Sequence, residues 1–99
     1  KYAPALERIR AFAADGRWEI RVAVATALGR YGAEENFEPL IGLLCDREWW
    51  VRYRAAESLA EYPDEKALLA RVEETGDRYA REMMRFALDK RALAAGEAA

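Results

Sequence analysis

The chain contains no histidine. A Ser-His-Asp triad, a Cys-His pair and any histidine-ligated zinc site are therefore excluded within it. Its one cysteine, Cys45, can form no internal disulfide and no multi-thiolate centre. A lone thiol fits a reducing compartment, so the expected location is cytoplasmic. The six glycines form no phosphate loop: Gly29 and Gly32 sit at a helix end, not between a strand and a helix. No apolar run approaches the roughly 20 residues of a membrane-spanning helix, and no signal-peptide pattern opens the sequence. A dominant charge is lacking too. Sixteen Lys and Arg face 18 Asp and Glu, a net charge of -2, too balanced to demand nucleic acid or an anionic membrane as partner. Paired carboxylates such as Glu34-Glu35 and Glu73-Glu74 offer no acid–base machinery, because adjacent residues on a helix do not face each other. The expectation is a chain with no catalytic residues, no cofactor and no metal.

What is present is helix-forming. Hydrophobic residues make up 53% of the 99 positions, enough for one packed domain over residues 1–99. Alanine, leucine, arginine and glutamate dominate. Six helices are expected, running from Ala3 to Ala14, Trp18 to Tyr31, Glu34 to Cys45, Trp49 to Glu61, Glu65 to Glu74 and Arg78 to Ala94. Their apolar stripes have helical spacing. These are Leu6, Ile9, Phe12 and Ala13; Ile20, Val24, Ala27, Leu28 and Tyr31; and Phe37, Leu40, Ile41 and Leu44. The later helices present Val51, Ala55, Leu59 and Tyr62; Leu68, Leu69 and Val72; and Met83, Met84, Ala87, Leu88 and Leu93. Pro4 and Pro39 fall in first turns, where a missing N–H is harmless. Asp64 is placed to cap a helix start and Gly32 to close a helix end in the left-handed conformation. No segment alternates with period two, so no strand is expected.

The chain also repeats itself. Ile20-Arg21-Val22-Ala23-Val24-Ala25-Thr26-Ala27-Leu28 returns as Val51-Arg52-Tyr53-Arg54-Ala55-Ala56-Glu57-Ser58-Leu59, 31 positions on. Tyr31 returns as Tyr62 and Asp15 as Asp46, and a fainter copy runs from Ala80-Arg81 to Leu88. A period near 30 with helical content means stacked units that touch mainly their neighbours.

The unit is an aspartate, a short loop, an apolar residue followed by arginine, an alanine-rich helix ending in Leu and Tyr, and a second helix. The second helix carries Pro39-Leu40-Ile41 and Leu43-Leu44 before the next aspartate. This resembles HEAT repeats, most closely the short HEAT-like type named after phycobilisome lyases, over Pro4 to Leu88. The resemblance implies an all-α, right-handed α-solenoid of antiparallel helix pairs with about three units. The helices beginning near Trp18, Trp49 and Arg78 would be outer and convex, the others inner and concave. The first and last helices then read as half-units, which implies a portion of a larger protein. It also implies a ladder in which Arg21, Arg52 and Arg81 pair with Asp15, Asp46 and Asp77 to tie each unit to the next.

Trp18, Trp49, Trp50, Tyr53 and Tyr79 cluster at the starts of the outer helices, with Arg54 nearby. Trp, Tyr and Arg are the residues that carry binding hot spots, so these six are the candidate partner-binding residues. The inner helices carry Glu34, Glu35, Glu38, Glu73 and Glu74, and the last helix is basic; an acidic groove attracts basic segments. The expected function is a non-catalytic protein–protein interaction or scaffold module, binding a protein partner through its concave face or aromatic edge, with no membrane insertion. Two alternatives come with the resemblance. One is a nucleic-acid-binding domain related to alkylbase DNA glycosylases, disfavoured by the acidic inner helices. The other is a bilin-lyase-like enzyme subunit. Self-association through the repeat ends is expected if Leu6, Ile9, Met84 and Leu88 lie uncovered, and opposed if Arg8, Arg10, Arg85 and Lys90 cap those ends.

Overall fold

The computed structural model describes residues 3–31 and 34–96. Among the described residues there are six α-helices: α1 (Ala3–Ala11), α2 (Trp18–Tyr31), α3 (Phe37–Leu44), α4 (Trp49–Leu59), α5 (Glu65–Glu74) and α6 (Arg78–Ala94). Short 3₁₀ turns at Phe12–Ala14 and Glu34–Asn36 extend α1 and lead into α3. No strand occurs among the described residues.

The local chemistry sets the boundaries. Pro39 is the third residue of α3, where helix donors lack intrahelical partners anyway. Asp64 and Asp77 cap α5 and α6, accepting hydrogen bonds from the N–H groups of Ala67 and Ala80 at 3.0 Å each. Gly76 turns the chain between them at φ 66°, a conformation open to glycine at little cost. Gly32 lies outside the described residues.

The helix α4 is the centre of the stack, packed against α2, α3 and α6. Leu28, Leu40, Leu44, Val51, Ala55, Ala56, Leu59 and Met84 are fully buried around it. The α2–α4 contact is close because Gly29 has no side chain. A Cβ there would lie 2.4 Å from the Ser58 Cβ and 2.0 Å from its hydroxyl oxygen, which donates to the Ala25 carbonyl at 2.8 Å. One buried polar residue was not anticipated from the sequence. Asn36 donates from Nδ2 to the Leu28 carbonyl at 3.1 Å and accepts from Arg10 at 2.8 Å. It satisfies a carbonyl near the end of α2 and ties α1 to it.

Three expected core residues are exposed instead: Phe12, Tyr31 and Leu93. Phe12 falls in the 3₁₀ turn, where the helical register of α1 is lost. Tyr31 is the last residue of α2. Leu93 lies in the final turn of α6, whose 17 residues outrun the 11 of α4 and the 10 of α5. The apolar ends are more closed than expected. Leu6 and Met84 are buried, and Ile9 and Leu88 are half-buried. Arg8, Arg85 and Lys90 are exposed.

Candidate interaction surface

The loops before α2 and α4 share one device. Arg17 N–H donates to the Asp15 carboxylate and Glu48 N–H to that of Asp46, each at 2.9 Å. Arg21 then forks onto Asp46, with Nε to Oδ2 at 2.7 Å and NH2 to Oδ1 at 3.1 Å. Its NH1 reaches back to the Asp15 carbonyl at 2.7 Å. Arg21 is 4% exposed, so two loops a full unit apart are joined by a buried bidentate pair. Burial pushes the Asp46 carboxyl up, but the Arg21 hydrogen bond, helped by the Glu48 N–H, outweighs it and holds the group below its ordinary value. Asp15 is held near 2 by its side-chain hydrogen bond from Arg17 and the Arg17 backbone N–H.

The third loop departs from the expected ladder. Asp15 and Arg21 are six positions apart, as are Asp46 and Arg52, but Asp77 and Arg81 are four apart. The backbone resolves the register. Arg21, Arg52 and Arg81 donate their N–H groups to the carbonyls of Arg17, Glu48 and Asp77 respectively. Asp77 therefore corresponds to Glu48, as the cap of its helix. The ladder position belongs to Thr75, whose Oγ1 accepts the Asp77 N–H at 3.1 Å just as Asp46 accepts from Glu48. A neutral hydroxyl stands where a carboxylate stood. Arg52 keeps its backbone contacts, NH1 donating to the carbonyls of Asp46 and Arg47 at 3.0 and 3.2 Å. Its Nε is buried and has no hydrogen-bond partner among the described residues. Among the described residues the Arg81 side chain makes only a surface pair with Glu73, at 3.7 Å.

The unpaired arginine lies beside the largest exposed aromatic group. At the start of α4 the Trp49 and Tyr53 rings stack at 5.2 Å, and Trp50 meets both edge-on at 4.9 and 6.0 Å. Phe86 of α6 lies 6.3 Å from Tyr53. The Tyr79 ring sits under the guanidinium groups of Arg52 and Arg78, at 5.4 and 5.0 Å, and Arg54 lies over Tyr53 at 5.6 Å. Lys90 donates to the Tyr53 hydroxyl and pairs with Glu57. Trp49, Trp50, Tyr79 and Phe86 are each about half exposed, at 46%, 50%, 56% and 51%. Between α4 and α6, three of them frame a hollow of about 360 Å³ lined by Trp49, Arg52, Tyr79, Glu82, Met83 and Phe86.

Five of the six expected residues thus come together: Trp49, Trp50, Tyr53, Arg54 and Tyr79. Trp18 is exposed on the preceding unit, and among the described residues no ring contact joins it to the cluster. Phe86 was missed. It stands seven positions after Tyr79 on the same helix, on the same face two turns on, and that spacing could have found it. Glu38 of α3 is forked by Arg71 of α5 at 2.8 and 2.9 Å, so part of the acidity of these two helices is neutralised between units. Glu34, Glu38 and Asp64 line a second hollow with Phe37, Tyr62 and Pro63. Burial pushes the Cys45 thiol up, against the nucleophilic thiolate. No group of residues suited to hold a metal ion occurs among the described residues.

A family model for HEAT repeats matches residues 5–89. The chain belongs to the HEAT-repeat family. Repeats of this family generally mediate protein–protein interaction or scaffolding and are generally non-catalytic. The phycobilisome-lyase subtype remains a resemblance. Neither curated proteins nor solved structures give a significant match. Among the described residues, no helix is long and apolar enough to cross a membrane.

Proposed function

We propose that the chain is a non-catalytic protein-interaction module that binds a protein partner through the edge formed by Trp49, Trp50, Tyr53, Tyr79 and Phe86. The observation that carries this reading is the contiguity of half-exposed aromatic rings with arginines across two helices. Isolated exposed apolar residues are ordinary, but a joined patch of Trp, Tyr and Arg is what partner surfaces use. The solenoid core behind it holds α4 and α6 rigid, so little ordering cost attends binding. The acidic inner helices support a concave-face reading less well, because Arg71 already occupies Glu38.

The test is capture of a partner by the wild-type chain and by the double variant Trp49→Ala/Trp50→Ala. Hot-spot truncation costs about 2–4 kcal/mol, so capture should fall at least thirtyfold. Both side chains are half exposed, and the melting temperature should barely move. Undiminished capture by the folded double variant would refute this use of the edge.

A further inference from the structure

We propose that the open fork of Arg52 receives a carboxylate from the partner. The occupant is an acidic protein segment in which Asp or Glu stands beside apolar side chains that lie in the hollow between Trp49, Tyr79 and Phe86. The inference rests on the aromatic-edge reading above and names the chemistry of the partner.

The molecule supplies its own precedent one unit away. In Arg21 the Nε and NH2 edge of the guanidinium grips Asp46, while NH1 holds the loop carbonyl of Asp15. Arg52 repeats half of that arrangement: its NH1 holds the loop carbonyl of Asp46. Its Nε has no acceptor, and among the described residues no hydrogen bond is made by its NH2. Thr75 cannot serve as the missing acid. Its hydroxyl donates to the Val72 carbonyl at 2.6 Å and accepts from Asp77 N–H, and it carries no charge. A buried guanidinium nitrogen without an acceptor is costly, so an incoming carboxylate gains a prepared, charge-assisted fork.

Access and polarity agree. Arg52 and Tyr79 form the ridge shared by two neighbouring hollows, the aromatic one and another of about 460 Å³ lined also by Cys45, Asp46, Arg47 and Asp77. The Tyr79 ring beside Arg52 is itself 56% exposed and belongs to no core cluster, so it can tilt off the guanidinium while still bordering the hollow. Arg47 makes no ion pair among the described residues and adds positive charge at the rim. The carboxylates of Asp46 and Asp77 line one of these hollows and Glu82 the other; they oppose a phosphate dianion about twice as strongly as a singly charged carboxylate.

The experiment uses synthetic 12-residue peptides titrated into the chain at low salt and followed by isothermal titration calorimetry, a readout that the tryptophan substitutions leave intact. One alternates Asp with Phe and Leu; a second has Asn in place of every Asp; a third probe is a 12-nucleotide oligothymidylate. The Asp peptide should bind at least tenfold more tightly than the Asn peptide. The substitution Thr75→Asp, which places an internal carboxylate at the ladder position, should weaken the Asp peptide at least tenfold in a chain whose melting temperature does not fall, while Thr75→Asn should not. Equal binding of both peptides, both weakened by Trp49→Ala/Trp50→Ala, would overturn the carboxylate claim and leave the aromatic edge standing. Equal binding unaffected by those tryptophans would remove both. No binding of the Asp peptide at millimolar concentration, wild-type affinity in Thr75→Asp, or tighter binding of the oligothymidylate would each overturn the proposal.

Discussion

Replacing Asp46 by asparagine removes one charge while preserving the shape of the loop. The amide oxygen can still accept the Glu48 N–H, so the turn before α4 survives. What is lost is the compensation of Arg21, whose side chain is 5% exposed against 12% for Asp46. Exposed ion pairs contribute about 0–1 kcal/mol. Breaking a buried one costs about 3–5 kcal/mol, because a charge is left unpaired. Here the pair is mostly buried and one neutral acceptor remains, which puts the loss at about 2–3 kcal/mol. For a domain of this size that corresponds to a fall in melting temperature of roughly 10–20 °C. Arg21→Met in the same chain should recover more than half of the loss, since an apolar side chain needs no counter-charge. The pH profile carries the same signature. Asp46 has a folded-state value depressed below 3.8, so its contribution is present above that pH and is lost as pH falls through the lower folded value. Wild type should lose stability on acidification below about pH 4 more steeply than Asp46→Asn. Thermal melts at neutral and acid pH decide the matter. A shift under about 2 °C at neutral pH would show that Asp46 does not hold Arg21 and that no such pair joins the two loops.

Two further substitutions probe the packing. Leu28→Ala and Leu59→Ala each empty a fully buried site and should cost about 2–5 kcal/mol by chemical denaturation, a large share of the roughly 5–15 kcal/mol that such domains hold. Gly29→Ala drives a Cβ into Ser58 and should cost about 1–3 kcal/mol despite better helix propensity. The pairing Gly29→Ala with Ser58→Gly should return part of that loss, and no recovery would show that the two helices do not meet there.

The fold was largely legible because its signals are local. The bounds of α2, α5 and α6 follow from Asp15-Gly16, Asp64 and Thr75-Gly76, and apolar stripes at helical spacing mark the buried faces. The same logic overreached at Phe12 and Leu93, where helical periodicity continues past the neighbour that would cover it. Asn36 was invisible because its role depends on a carbonyl eight positions away and an arginine 26 away. The aromatic edge was visible as a cluster of residue types, but the unpaired Arg52 was not. Matching by residue identity aligned Asp77 with Asp46, whereas the shorter third loop shifts the register by two positions and makes Asp77 a helix cap. The match of Val51-Arg52 with Ala80-Arg81 already carries this two-position shift, and the backbone hydrogen bonds, which pair Arg81 with Asp77 as Arg52 pairs with Glu48, place Thr75 at the ladder position.

That register is the centre of the account, and equilibrium unfolding of the Thr75→Asp variant tests it most directly. The substitution gives up the Thr75 bond to the Val72 carbonyl but keeps an acceptor for the Asp77 N–H and supplies the missing acid to Arg52. A charge-assisted fork outweighs one neutral hydrogen bond, for a net gain of about 1 kcal/mol and a melting temperature higher by roughly 4–8 °C. A variant no more stable than wild type, or less stable, would mean that Thr75 does not face Arg52, and the open fork would have no basis.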